Sequence, residues 1–263
     1  MNDTNAAATI TAIYRYPVKG LSPQSLPRVR LEKGATLPAD RKYAIENGPS
    51  GFDPTAPSYF PKSRFLMLMR NERLAALRTD YDDRADTLII HSEGREAARG
   101  DLRTPEGRLA IETFFRKFMP KELRGPPKVL AGEGHSFSDV AAKVVSIINL
   151  ASVAAVETAT GAAVHPLRFR GNLYVTGWPA WHEFTLLGRE LVAGGTRLKV
   201  VKRIQRCAAT DVDPDTGERD LEIPRTLLKT FGHADCGIYA QVVDPGDIAV
   251  GDTVAPASAE LPF

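Results

Sequence analysis

Apolar and polar positions alternate over much of the first hundred residues. Ile10 to Tyr16 (ITAIYRY) has the period-two pattern of a strand, and Pro17 stops it. Further strand patterns fall at Arg28–Leu31, Lys42–Glu46 and Phe65–Met69. Gly34, Pro38, Asn47-Gly48 and a Pro-rich loop from Pro49 to Pro61 punctuate them. Ala76–Tyr81 and Thr87–His91 read as two strands joined by an Asp-rich turn. The period then lengthens. Thr104 and Pro105 open a helix as N-cap and first residue, with Leu109, Ile111, Phe114, Phe115 and Phe118 along its apolar stripe and Pro120 at its end. Lys121 to Gly134, rich in Gly, Pro and Lys, reads as a linker or surface loop.

The second half repeats the alternation. A strand over Lys143–Ile148 leads to Asn149, the N-cap of a helix over Leu150–Thr160 that Gly161 stops. Strands follow at Asn172–Thr176, Phe184–Leu187, Glu190–Val192 and Arg197–Ile204. A short helix runs from near Pro224 to Gly232. A strand over Gly237–Val243, a turn at Asp244-Pro-Gly-Asp and a strand near Gly251–Val254 close the chain. Many short strands with few helices predict a barrel or sandwich, not a βαβ array.

The 263 residues allow one large domain or two small ones, and 43% hydrophobic with 25% charged residues is ordinary globular composition. A formal net charge of +2 gives no reason to expect nucleic-acid or membrane binding. The N-terminus lacks the basic and apolar regions of a secretory signal, and no apolar run reaches bilayer length, so the cytoplasm is the expected compartment. Cys207 and Cys236 are too few for a disulfide framework, an all-cysteine zinc site or an iron–sulfur cluster.

Cys207 stands out by context. The basic run Arg197 to Arg206 leads into it, and the turn cluster Val212-Asp-Pro-Asp-Thr-Gly217 follows, which places its sulfur at a strand end before a loop. Neighbouring cations favour the thiolate, the form that attacks electrophiles and binds soft metals. The same residues also fit a small buried cysteine beside a hairpin. Lys19, Arg41, Arg168, Arg170 and Arg206 each adjoin Gly, Pro or Asn, or lie near a turn; brought together, they would make an anion pocket. A nucleophilic pair of Cys207 with His233 or His165 stays open. Trp178 and Trp181 suit a core corner or pocket rim, and Cys236 suits packing, with a resolving-thiol role as the lesser alternative. There is no Walker loop, G-x-G-x-x-G fingerprint, Gly-x-Ser-x-Gly elbow or zinc-spaced histidine pair.

Several fragments, in order, carry a resemblance. They are Tyr16-Pro-Val-Lys-Gly20, Ala39-Asp-Arg-Lys-Tyr-Ala44, Phe60-Pro-Lys-Ser-Arg-Phe-Leu66, Phe137-Ser-Asp139, Arg168-Phe-Arg-Gly-Asn172, Arg206-Cys-Ala-Ala-Thr-Asp211 with its following turn, and Val250-Gly-Asp252. Together they resemble the MOSC family, named for the C-terminal domain of molybdenum cofactor sulfurase, in its two-part form that includes the amidoxime-reducing components. The resemblance implies a mainly β fold with some α: an N-terminal β-barrel-like domain over 1–105 joined to a MOSC β-barrel over 106–263. It implies a molybdenum cofactor (Mo-molybdopterin), with Cys207 as metal ligand and Asp139 as an acidic residue at the metal site. Lys19, Arg41, Arg170, Asn172 and Arg206 match cofactor-binding positions. The family also carries a broad association with pyridoxal phosphate binding.

The implied activity is reduction of small N-hydroxylated compounds or N- and S-oxides by oxygen removal. The alternative is a carrier of cofactor, or of sulfur as a persulfide on Cys207. No cysteine-rich ferredoxin-like tail follows residue 254, so electrons are expected from a separate protein holding flavin, haem or iron–sulfur. The chain departs from the family at Gln205, where a serine precedes the Arg-Cys pair, at Gly20, where many relatives have serine, and around Lys143.

Overall fold

The computed structural model describes residues 6–257, so the outer ends of both expected segments, 1–105 and 106–263, lie outside the described residues. Strand β1 (Ala8–Arg15) pairs antiparallel with the short β2 (Gln24–Leu26), and β3 (Arg28–Leu31) follows. β4 (Tyr43–Asn47) is buried along its whole length. The antiparallel meander of β5 (Arg78–Asp82), β6 (Thr87–Ser92) and β7 (Arg95–Asp101) runs into α1 (Pro105–Phe118). The Thr104 hydroxyl accepts the Gly107 amide, the cap that the sequence predicts. β8 (Pro127–Ala131) then pairs antiparallel with β4.

Of these, β4, β5, β6, α1 and β8 share one core. Ile111, Phe115 and Met119 from α1 and the residue that follows it pack against Leu66, Tyr81 and Leu88, and Val129 of β8 joins them. The Lys121–Gly134 stretch is therefore more than a linker. Its Pro and Lys content hides a strand whose partner lies about eighty residues earlier, beyond any local pattern. The packing groups α1 and β8 with β4, β5 and β6.

The second half contributes β9 (Val145–Asn149), α2 (Leu150–Thr160), β10 (Leu173–Thr176), β11 (Glu190–Ala193) and β12 (Thr196–Gln205). α3 (Ile223–Phe231), β13 (Asp235–Asp244), β14 (Gly246–Ala249) and β15 (Thr253–Pro256) complete it. The strands β10, β9, β13, β12, β11, β15 and β1 follow one another around a ring that the β1–β10 pairing closes. This closed barrel, with a few helices outside it, is the expected mainly β fold. Closure satisfies the backbone of every ring strand on both sides. β1 carries the chain start into the barrel, placing Ile13 opposite Leu173 and Ile10 opposite Val175. Ile10, Ile13, Val145, Leu173, Val200 and Val242 fill the interior. Asn149 accepts the Ala151 amide at the start of α2, and Gly161 ends it with φ +69°, a backbone setting that suits glycine.

Two predicted strands are not strands. Phe65–Met69 makes a single bridge, Phe65 to Glu46, and then turns. Phe184–Leu187 is largely a 3₁₀ turn spanning His182–Leu186. The first is a short buried apolar run and the second alternates buried and exposed residues, and periodicity alone cannot distinguish either from a strand. β7 escaped prediction for the opposite reason: most of its side chains are exposed and polar. Among the described residues no helix is long and apolar enough to cross a membrane.

Phe115 is fully buried in the first core. Phe115→Ala is expected to destabilise the protein by about 3–5 kcal/mol. Equilibrium urea denaturation of the two proteins measures that difference directly.

Candidate functional site

The barrel's β12 ends at Gln205, and Cys207 follows two residues later at the start of an irregular loop. Its sulfur is partly exposed and lines a cavity of about 280 Å³. The position is the strand end that the sequence predicts. Lys19, Arg41, Arg168, Arg170 and Arg206 all line this cavity, as do Asp139 and Asn172. Residues from five distant stretches of chain thus share one wall. The loop after β1 brings Lys19, the turn before β4 brings Arg41, and the turn before β10 brings Arg170 and Asn172. Eight cations and only two carboxylates, Asp40 and Asp139, line the cavity of a chain whose formal net charge is +2. The imbalance is local, and a low-dielectric cleft strengthens its pull on anions.

Each cation has a distinct setting. Lys19 is buried, donates to the Phe137 carbonyl at 2.9 Å and forms an ion pair with Asp139. Burial lowers its pKa, and the attraction of Asp139 only partly offsets this. Lys62, a residue that sequence reasoning placed in a motif without a role, completes the centre. Its Nζ donates to Cys207 Sγ at 3.2 Å and to Asp139 Oδ2 at 3.3 Å. Burial would lower Lys62, but Asp139 and the Cys207 sulfur outweigh it and hold the ammonium above its ordinary range. Burial would likewise raise Asp139, yet Lys19 and Lys62 together hold its carboxyl well below the usual range. The signal for Lys62 was its place after Pro61 in the quoted motif.

Arg41 and Arg170 both lie over the Tyr16 ring, with guanidinium carbons 4.6 and 4.2 Å from its centroid. Both residues sit in the left-handed region, at φ +51° and +49°, where a side chain costs energy that the surroundings must supply. Arg41 pairs with Asp40 and donates to the Arg170 carbonyl at 3.0 Å. Arg170 donates to the Leu21 carbonyl at 2.9 Å, has no ion pair among the described residues, and has its pKa lowered by burial.

The other predicted residues reach the wall but spend their polar groups on the protein. Arg168 is buried, and its fork grips Asp220 at 2.7 and 2.8 Å and Asp213 at 2.9 Å. The anion it holds is the loop that follows Cys207. Its Nε, also buried, has no hydrogen-bond partner among the described residues. Arg206 donates to the carbonyls of Phe169 and Cys236, crossing beside Gly237, where a Cβ would meet the Ile147 carbonyl oxygen at 2.6 Å. Asn172 accepts from the Ser146 amide and hydroxyl and donates to the Tyr14 carbonyl. It fastens β10 to β9 and to the end of β1.

The remaining candidates lie elsewhere. His165 Nδ1 accepts the Leu167 amide, while His233 accepts the Asp235 amide and packs against Trp181 and Phe184. Neither lines the cavity, so a Cys207–His nucleophilic pair has no geometry here. Trp178 is buried in the barrel core, a corner filler as predicted. Cys236 is fully buried, and burial pushes its thiol up to about 12. Among the described residues no cluster of three or more His, Cys, Asp or Glu is arranged to hold a metal ion.

With this geometry in place, two family models match. Residues 7–118 match the MOSC N-terminal beta barrel domain, and residues 132–255 match the MOSC domain. The chain is 35% identical over 122 residues to mitochondrial amidoxime reducing component 2 of Bos taurus, covering 42% of this chain and 36% of that protein. It is 38% identical over 98 residues to the Homo sapiens protein of the same name, covering 33% and 29%. The chain thus matches about a third of the length of these curated relatives. Among solved structures, the YUAD protein from Bacillus subtilis is 12% identical, with 95% of each chain covered and a TM-score of 0.44.

The two thiols differ in access. In native cofactor-free protein a disulfide reagent at pH 8 is expected to titrate one thiol, in denatured protein two. Cys207→Ser should remove the native signal.

Proposed function

The chain belongs to the two-domain MOSC family, and from that premise we propose that it is a molybdenum-cofactor-dependent reductase of small N-hydroxylated compounds or N- and S-oxides. The observation that carries the reading is the meeting of Cys207, Lys19, Arg41 and Arg170 in one cavity. One soft sulfur beside an anion pocket fits a metal whose organic carrier supplies further sulfur ligands and a phosphate. It fits poorly a metal bound by protein side chains alone. When bound, the cofactor would supply a two-electron metal centre able to take an oxygen atom.

The chain's own part is holding and orienting. Cys207 would ligate the metal, and Lys62 fixes the direction of its sulfur through the 3.2 Å contact. Arg170 and Arg41 would take the phosphate, with the Tyr16 ring spacing their guanidinium groups. Lys19 would add a point charge, its ammonium aimed by Asp139 and the Phe137 carbonyl. Arg206 and Asn172 would shape the wall through their backbone bonds. Loss of the oxygen as water consumes two electrons and two protons. Lys62 stands beside the sulfur as a protonated ammonium, and a separate redox protein would deliver the electrons.

Freshly purified protein should contain molybdenum and pterin near one per chain and reduce an aromatic amidoxime with a chemical reductant. Cys207→Ser should abolish turnover. Lys62→Gln should lower activity about 10–100-fold, the usual effect of removing a partner of a metal ligand. Protein without molybdenum, or undiminished turnover in Cys207→Ser, would end this reading. Cofactor or persulfide bound without any turnover would favour a carrier.

A further inference from the structure

The loop after Cys207 folds into a small hairpin. Val212 bridges to Arg219, and the Asp213 amide donates to the Glu218 carbonyl at 2.7 Å. Arg168 fixes its base through Asp213 and Asp220. Gly217 in its turn has φ +76°, and a Cβ there would meet the Glu72 carbonyl oxygen and the Ala76 amide nitrogen at 3.2 Å. The hairpin thus lies directly on the short 3₁₀ turn Glu72–Ala76 of the first half.

Two arginines fasten this contact in opposite directions. Arg219, from the hairpin, donates to the Leu68 and Met69 carbonyls at 2.9 and 2.8 Å, to the Ala208 carbonyl at 2.6 Å and to Glu72 at 3.2 Å. Arg78, from the first half, donates to the Pro214 carbonyl at 3.1 Å and to Asp215 Oδ1 at 2.8 Å. A guanidinium fork can hold several acceptors at once in fixed directions. Both side chains are partly exposed, so the ion pairs add little to global stability.

What they hold closed is a seam. Ala208 directly follows Cys207, and one guanidinium spans from its carbonyl to those of Leu68 and Met69. Leu68, Met69 and Ala209 line the Cys207 cavity. Met69 also lines a second cavity of about 660 Å³, which has Ala208 and Arg219 in its wall. Leu68 and Ala209 also line a third, of about 290 Å³, which has Arg78 and Asp215 in its wall. Single residues therefore separate the Cys207 cavity from each of these neighbours, and parting the seam would join them.

We propose that Arg219 is a positioning residue which, with Arg78, latches the hairpin over this seam and so governs how large a molecule reaches Cys207. Applied to the reductase reading, the latch would set the size of substrate admitted. The control of access does not rest on that reading, and its test needs no cofactor.

Full-length cofactor-free protein is reacted with two neutral thiosulfonates, one carrying a methyl and one a benzyl group, each rate being normalised to that with a free thiol. Wild type should favour the small reagent. Arg219→Gln should lower the small-to-bulky ratio about tenfold, the scale of losing charged hydrogen bonds. Arg78→Gln should lower it less, because Arg78 ties the turn of the hairpin and not the seam itself. Arg225→Gln, which removes a surface pair with Glu222, should leave the ratio unchanged. Cys236, fully buried, reports global loosening and should stay unreactive in every variant. Arg219→Lys replaces a rigid fork with a single ammonium and should recover only part of the ratio. A full return would show that charge alone sets access, and would overturn the proposal. Equal normalised rates in wild type, an unchanged ratio in Arg219→Gln, or native-state reaction of Cys236 in that variant would overturn it as well.

Discussion

One carboxylate allows this site to exist. Asp139 lies between the ammonium groups of Lys19 and Lys62, and without it two like charges would face each other beside a sulfur. Its charge partly offsets the burial of Lys19 and keeps Lys62 protonated against the Cys207 sulfur. The three side chains come from the chain start, the Pro-rich loop and the segment that follows β8. A single shared anion therefore ties the two halves of the molecule together at the point where the chemistry would occur. The pairs are only partly buried, so their value lies less in stability than in direction.

The barrel provides the frame for that junction. Because β1 closes the ring, the residues just past its end are fixed relative to β10 and β12, and Lys19 reaches the wall that carries Cys207. Arg168 does similar work for the loop after the cysteine. By gripping Asp213 and Asp220 it turns an Asp-rich turn, which in isolation would repel itself, into a rigid support for the sulfur. Arg219 extends the same loop to the first half, donating to the carbonyls of Ala208, Leu68 and Met69.

Much of this was legible in the sequence, for identifiable reasons. The caps at Thr104 and Asn149 and the stop at Gly161 are local events, set by a few adjacent atoms, and the structure holds them where the residues say. The position of Cys207 at a strand end was equally local. The barrel's closure was not, since nothing near Ile13 announces that its partner will be Leu173. Equally hidden was which cations would be spent. Arg168 and Arg170 are two residues apart in one motif, yet one is consumed by aspartates and the other faces the cavity with only a carbonyl bond. That difference depends on Asp213 and Asp220, more than forty residues away.

The uneven treatment of the two inner arginines shows where an anion gains most. Arg41 has Asp40 beside it, and although burial pulls the other way its charge is stabilised above the ordinary range. Arg170 has no such partner, and burial drives its pKa down. The Tyr16 ring face and the Leu21 carbonyl return only part of the hydration it has lost. A cation held at such cost, in left-handed backbone geometry, is poorly explained as packing. An incoming phosphate would restore to Arg170 what the fold withholds. It would also reach Arg41, which lies over the same ring, and find Lys19 already aimed. The fold thus leaves one charge under-compensated where a ligand can reach it, and binding energy arises from completing that environment.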